Sequence, residues 1–127
     1  IPVPLASSRL RQRGFNQAWT LTQELMRQWS LKKSLPHSKE QVPLPSARWD
    51  LLSRVIDTPF QHSLDRTARQ ANLQGAFLVH NPKVIENKRI LLVDDVMTTT
   101  ATLNEVARTI KKAGASRVSC LVVCRTD

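Results

Sequence analysis

Two adjacent carboxylates and a run of hydroxyl groups are the residues of this chain best suited to chemistry. Asp94 and Asp95 follow the apolar run at residues 90–93, and four threonines lie within residues 98–102. Carboxylates accept hydrogen bonds from vicinal sugar hydroxyls, and a hydroxyl-rich turn at a helix N-terminus offers N–H and O–H donors to a phosphate. The order and spacing of these groups therefore predict a site for a phosphorylated sugar.

Each part of this stretch also has a purely structural explanation. An Asp pair after a strand often marks only a turn, and a threonine at the start of a helix is commonly an N-cap. The combination in this order, rather than either part alone, favours ligand binding.

A parallel sheet with flanking helices must position these groups. The unbroken apolar run at residues 90–93 is typical of a strand buried on both faces of such a sheet. A helix that ends at Gly114 and a last strand at residues 118–124 follow it. This order predicts an α/β fold with a mainly parallel sheet, in which ligands bind beyond the carboxyl ends of the strands. The apolar face of the helix consists of Leu103, Val106, Ala107 and Ile110.

The upstream half contains weaker patterns. Asn16 is expected to cap a helix over residues 16–29, with Phe15 as its hydrophobic staple. Residues 30–46 are polar and rich in Lys and Pro, which indicates a connecting loop. We expect strands at 48–55 and 75–79, and a helix capped by Ser63 at 61–73. The buried stripe of the first helix is predicted to be Ala18, Leu21, Leu25, Met26 and Trp29.

Composition limits the classes of protein to which the chain can belong. A length of 127 residues predicts a single domain over residues 1–127, and the absence of an initiator Met suggests a fragment of a longer chain. The net charge of +9 favours anionic partners, either nucleic acid or diphosphate groups, although a basic surface can serve solubility alone. No apolar run approaches the roughly 18 residues of a membrane span, so no membrane insertion is expected.

Cys120 and Cys124 are the only cysteines of the chain. On one strand they would lie on the same face roughly 13 Å apart, which is too far for a disulfide. They are therefore predicted to be reduced core thiols, which implies a reducing, cytoplasmic environment. Without a neighbouring His they cannot complete a zinc site.

The stretch from Ile90 to Thr102 resembles the phosphoribosyl diphosphate (PRPP) motif of type I phosphoribosyltransferases, a hydrophobic strand followed by Asp-Asp and a Thr-rich loop. Thr100 stands where that motif usually has Gly, a residue that tolerates a positive φ. Val3-Pro4-Leu5 and the run from Arg13 to Gln17 resemble the ComF (GntX) family. A spaced set resembles that family too: Arg54, Thr58, Gln61, Leu64, Arg69, Asn72 and residues 75–77.

The resemblance implies a role for each matching residue. Asp94 and Asp95 would be the catalytic pair and would bind the ribose hydroxyls, with Mg²⁺ accompanying PRPP and no side chain assigned as its ligand. The 5′-phosphate would lie on Thr98, Thr99, Thr100, Ala101 and Thr102. The diphosphate or a closing loop would involve Arg9, Arg11, Arg13, Arg54, Thr58, Gln61 and Arg69. For Gln61 and Arg69, simple solvation on a helix surface is an equally good explanation. The zinc ribbon that precedes this domain in the family is absent from this sequence, so the fold is expected to be open at its N-terminal side and to hold no zinc.

The resemblance also implies a function, a phosphoribosyltransferase-like protein of DNA uptake in natural transformation that binds PRPP or a similar sugar phosphate. Single-stranded DNA or DNA-processing proteins would then be its partners, although three Trp, three Phe and no Tyr make a poor stacking platform. The alternative is an active phosphoribosyltransferase in nucleotide salvage or related metabolism. A third hypothesis is an interaction module with a vestigial site.

Overall fold

The computed structural model describes residues 1–33, 44–56, 73–97 and 100–125. The predicted helix at 61–73 and its Ser63 cap lie almost entirely outside these residues. Among the described helices, none combines the length and the apolar character that a bilayer crossing requires. The elements, in chain order, are α1 Ser7–Arg13, α2 Gln17–Lys33, β1 Leu52–Arg54, β2 Phe77–Val79, α3 Pro82–Ile85, β3 Arg89–Met97, α4 Ala101–Lys112 and β4 Arg117–Arg125.

Strand β3 lies at the centre of a parallel arrangement. On one side it pairs with β4 in a parallel register. On the other side the N-terminal residues run beside it: Val3 donates its N–H to the Val93 carbonyl at 2.9 Å, and Val93 donates to the Ile1 carbonyl at 3.0 Å. Pro2 and Val93 form a parallel bridge. The predicted α/β class with parallel strands is thereby confirmed.

The central strand is longer than the sequence predicted. Residues 90–93 were expected to form the strand and the Asp pair to follow it, but β3 continues to Met97. The reason is that β4 supplies partners beyond that point, Val122 for Asp94 and Cys124 for Val96. The Asp pair therefore lies inside the strand, near its carboxyl end, and not in a turn.

The main core lies between the sheet and α4. Leu92, Val106 and Ile110 are completely buried, which confirms the predicted apolar face of α4. The helix ends at Lys112, followed by Gly114 with a φ of 96°. Helix α2 packs against β3, and its Ala18 is buried without belonging to the main core cluster. Helices therefore pack against both faces of the central strand, but they do not cover all of it: Leu91, which was expected to be buried, is 42% exposed.

Asn16 caps α2 as predicted, because its Oδ1 accepts the N–H of Ala18 at 3.0 Å. Its amide nitrogen also donates to the Val3 carbonyl at 3.0 Å, which ties the start of α2 to the N-terminal strand. Three other expectations for this helix were wrong. It continues to Lys33 rather than ending at residue 29, so the loop expected from residue 30 begins later. Phe15 is 56% exposed rather than a staple, and Trp29 is 40% exposed rather than core. Helical spacing identifies an apolar face, but it does not show how far the neighbouring element extends along it.

An antiparallel pair of short strands was not predicted as such. Strands were expected at 48–55 and 75–79, whereas β1 and β2 each contain three residues and pair antiparallel, with Arg54 opposite Phe77. Leu52 and Phe77 join the main core cluster with Leu103 of α4. The hairpin-like pair therefore packs beside the start of α4.

The two cysteines are exposed on β4, so the prediction of core thiols was wrong. Within the described residues β4 pairs only with β3, and most of its side chains are exposed. An apolar strand that forms the edge of a sheet buries less than its sequence suggests.

Candidate functional site

The acidic pair lies half-buried near the carboxyl end of β3. Successive residues of a strand point to opposite faces of the sheet, so Asp94 shares the face of Leu92 and the α4 core, while Asp95 points to the α2 side. The two residues also contact each other, because the N–H of Asp95 donates to Oδ1 of Asp94 at 3.0 Å. The pair can therefore offer carboxylate oxygens on both sides of the strand.

Burial perturbs the titration of the first carboxylate. The pKa of Asp94 is raised from 3.8 to about 6, chiefly because burial penalises its charged form and further because of the negative charge of Asp95. Burial raises the pKa of the Cys120 thiol, and the negative charge of Asp94 raises it further. A partly buried carboxylate whose charge is unfavourable in the free protein is typical of a site that a cation or a hydrogen-bond donor completes.

The N-terminus of α4 follows the Asp pair closely. Thr98 and Thr99 lie outside the described residues. Thr100 is exposed, and Ala101 and Thr102 are the half-buried first residues of α4. Thr100, the N-cap residue, makes no side-chain cap hydrogen bond, and the first N–H groups of a helix have no partner within the helix itself. These donors follow, in the sequence, the carboxyl end of the strand that carries the carboxylates.

Thr100 fits its position without strain. Its φ of −70° and ψ of −6° are ordinary right-handed helical values, which any residue adopts. The Gly that the resemblance leads one to expect is therefore not required by the backbone at this point.

Three arginines predicted to meet a diphosphate lie on α1. Arg11 and Arg13 are exposed and Arg9 is half-exposed. Helix α1 ends at Gly14, whose φ of 78° permits its N–H to donate to the Leu10 carbonyl at 2.8 Å. Val3 pairs with Val93, and α1 begins a few residues later. The chain therefore leaves the sheet toward the carboxyl end of β3, where the Asp pair lies.

Of the candidates for a closing loop, only Arg54 is described; Thr58, Gln61 and Arg69 lie outside the described residues. Arg54 donates its Nε–H to the Ile56 carbonyl at 3.1 Å. Its guanidinium lies 5.8 Å from the centre of the Phe77 ring, within cation–π distance. The structure thus fixes Arg54 on the antiparallel pair of strands rather than on the central sheet.

Two features of the site region escaped the sequence analysis. Glu105 of α4 is buried and accepts the N–H of Gly75 at 2.9 Å. Its position within an apolar helix face could have drawn attention to it, but nothing in the sequence names its partner. At the start of α2, Oε1 of Gln17 is buried and has no hydrogen-bond partner in the part of the chain that the structure describes. Such an unpaired acceptor is uncommon in a folded protein.

Metal binding by the protein alone has little support in the described ranges. Among residues 1–33, 44–56, 73–97 and 100–125, no group of three or more His, Cys, Asp or Glu is placed to hold a metal ion. The carboxylates of Asp94 and Asp95 nevertheless fit a hard cation such as Mg²⁺. This ion prefers oxygen ligands and is usually bound by one or two carboxylates together with the phosphate groups of a substrate.

Comparison with known proteins matches residues 37–127 to the phosphoribosyl transferase domain family. The chain is 34% identical over 128 residues to the DNA utilization protein YhgH of Escherichia coli O6:H1, which covers 99% of this chain and 48% of that protein. It is 35% identical over 119 residues to Competence protein F of Haemophilus influenzae, covering 93% of this chain and 46% of that protein. The chain thus spans about half the length of the curated relatives it matches. No solved structure matches it. These relatives confirm the resemblance that the sequence motifs indicated.

Proposed function

Because the chain belongs to the phosphoribosyl transferase domain family, we propose that it binds PRPP or a similar sugar phosphate at the carboxyl end of β3. The observation that carries this proposal is the half-buried Asp pair in the strand that precedes α4, whose N-cap residue Thr100 makes no side-chain cap hydrogen bond. Carboxylates are the complementary partners of ribose hydroxyls, and the backbone N–H groups at a helix N-terminus are those of a phosphate.

Each part of the ligand has a candidate partner in the described residues. Asp94 and Asp95 accept hydrogen bonds from the ribose hydroxyls, and the first-turn N–H groups of Ala101 and Thr102 donate to the 5′-phosphate. Mg²⁺, when bound, neutralises charge on the diphosphate. Arg11 and Arg13, which are exposed on α1, are candidates to contact the same group.

We further propose that the sugar-phosphate site serves a protein of DNA uptake. The names of the relatives, Competence protein F and DNA utilization protein, support this role. So does the segment around α1, whose three arginines are followed in the sequence by the exposed Phe15. Guanidinium groups contact the phosphates of a single strand, and an exposed aromatic ring can stack on a base. Action in the cytoplasm remains a prediction.

The first test is binding of PRPP measured by titration calorimetry in the presence of Mg²⁺. We expect PRPP to bind more tightly than ribose 5-phosphate or inorganic diphosphate, because it engages both the carboxylate pair and the basic groups. Chelation of Mg²⁺ should weaken the binding of PRPP more than that of ribose 5-phosphate. If none of the three ligands binds, the proposed site is wrong.

The second test concerns DNA and uses the fluorescence anisotropy of a labelled single-stranded oligonucleotide. If the α1 arginines each contact a phosphate, affinity should fall roughly tenfold or more between about 50 mM and about 200 mM salt. Replacing Arg11 and Arg13 by Gln should weaken binding and flatten this salt dependence. An oligonucleotide that does not bind even at low salt would contradict the DNA part of the proposal and leave the sugar-phosphate part standing.

A further inference from the structure

Glu105 is a buried carboxylate in the first half of α4. Only 9% of the residue is exposed, and a carboxylate in such a place is costly unless it is paired. It is paired twice: Arg108 donates from Nε at 2.8 Å and from Nη2 at 2.6 Å, and the backbone N–H of Gly75 donates at 2.9 Å. The contact with Gly75 spans 30 positions in the sequence. It is therefore a tertiary tie and not a local helix pair.

Gly75 stands at the base of the antiparallel strand pair. Its φ of 74° turns the chain into β2, and the next residue, Ala76, accepts the N–H of Val55 at 2.8 Å. Beyond it, Phe77 of β2 lies opposite Arg54 of β1 and carries the Arg54 guanidinium over its ring. The position of Arg54 therefore depends on the point where β2 begins.

The other end of this connection is the N-terminus of α4. Glu105 lies one helical turn beyond Ala101, the first residue of that helix. A single side chain thus joins the helix whose first turn would hold the 5′-phosphate to the strand pair that carries Arg54. Strand β2 also packs directly against α4, so the two ends of this connection lie close together.

We propose that Glu105 is a positioning residue, which fixes Arg54 relative to the N-terminus of α4 and through Arg54 sets the affinity for the diphosphate group of the ligand. This inference rests on the proposed function, because it assumes a sugar phosphate at the start of α4. In this proposal Glu105 itself touches no ligand. It sets the position of Arg54, which the family resemblance assigns to the diphosphate or a closing loop, relative to the start of α4.

The test compares two ligands, PRPP and ribose 5-phosphate, in the Glu105→Ala variant by titration calorimetry. Only PRPP carries a diphosphate, so its affinity should fall about tenfold while that of ribose 5-phosphate changes less than about twofold. Glu105→Gln should restore most of the PRPP affinity, because its amide oxygen can still accept the Gly75 N–H. A purely structural role for Glu105 would not separate the two ligands.

Glu24 supplies a matched control. It makes the same kind of bidentate pair, with Arg27 donating from Nε at 2.8 Å and from Nη2 at 2.7 Å, but it is exposed on α2. Glu24→Ala should leave both affinities unchanged. Arg54→Ala should show the same selective loss of PRPP, and adding Glu105→Ala to it should cause little further loss if Glu105 acts through Arg54.

Equal loss of both ligands, or no loss of PRPP in a folded Glu105→Ala variant, would overturn the inference. If Glu105→Ala does not fold, Glu105→Asp replaces it, because the shorter side chain withdraws the carboxylate from Gly75 while keeping its charge; the same separation of ligands is expected. If the unaltered chain binds neither ligand, the proposed function fails and the role of Glu105 fails with it. If the unaltered chain binds both ligands and substitution of Glu105 changes neither affinity, the proposed function is supported and the role of Glu105 is wrong.

Discussion

Replacing Asp95 by Asn is expected to weaken PRPP binding by roughly 10- to 100-fold, and Asp94→Asn by a similar factor. Each substitution keeps the shape of the side chain but removes the negative charge that strengthens a hydrogen bond from a ribose hydroxyl. Hydrogen bonds to charged groups contribute about 1.5–3 kcal/mol, which corresponds to this range of affinity. Titration calorimetry in the presence of Mg²⁺ measures the loss directly.

Asp50→Asn is the matched control for this experiment. Asp50 is an exposed carboxylate that accepts two hydrogen bonds from Arg48, at 2.8 and 2.7 Å, and it lies outside β3. The Asp50→Asn substitution should leave the affinity for PRPP unchanged. Unchanged PRPP affinity in both Asp94→Asn and Asp95→Asn would show that the acidic pair is not the sugar site, whatever ligand the chain binds elsewhere.

Asp94→Asn is also expected to stabilise the free protein above pH 6. The folded-state pKa of Asp94, about 6, lies above its ordinary value of 3.8, so between these values the folded chain binds more protons than the unfolded chain. Its free energy of unfolding therefore falls as pH rises through this window, and the loss is nearly complete about one pH unit above the folded-state pKa. Allowing for partial screening by solvent, the ionised side chain costs about 1–2 kcal/mol, which Asn would recover.

Urea unfolding at pH values on both sides of this window measures the effect. The advantage of Asp94→Asn over the parent chain should be largest at neutral pH and should vanish toward pH 4. Asp50 provides a comparison of opposite sign, because its hydrogen bonds to Arg48 lower its pKa to about 2. If the Asp94→Asn variant is no more stable than the parent chain at neutral pH, the ionised Asp94 carboxylate does not destabilise the free protein.

Together the two predictions describe a residue that reduces stability and contributes to binding. A group selected only for folding would not be kept ionised in a half-buried position next to a second carboxylate. A ligand-binding residue can be kept ionised in such a position, because the bound ligand provides the hydrogen-bond donor or cation that pairs with it. A substitution that strengthens the fold while it weakens binding is therefore the expected signature of Asp94.

The parts of the fold that the sequence predicted well are those fixed by local chemistry. Asn16 caps its helix because an Asn side chain reaches the N–H two residues on. The apolar face of α4 is buried because Leu103, Val106 and Ile110 recur at helical spacing. In both cases the information lies within one or two turns of chain.

The parts that failed depend on what lies beside each element. Trp29 and Cys120 have the residue types of a core, yet no described neighbour covers them, and both are exposed. The end of β3 depends on the length of β4, since Asp94 pairs with Val122. Glu105 depends on Gly75, which is remote in sequence. Periodicity reports the face that an element buries, but not the size or position of its partner.

The exposed strand β4 has a practical consequence that follows from Cys120. Its thiol lies on the same face of the sheet as Asp94, and the charge of that carboxylate adds to burial in raising the thiol pKa. Since the thiolate is the form that reacts, alkylation of Cys120 by a reagent such as iodoacetamide should be slow at neutral pH. A cation bound to Asp94 would offset its negative charge, lower the pKa of the Cys120 thiol and so speed alkylation. The rate of alkylation, measured by mass spectrometry, would therefore report whether a cation is bound to Asp94.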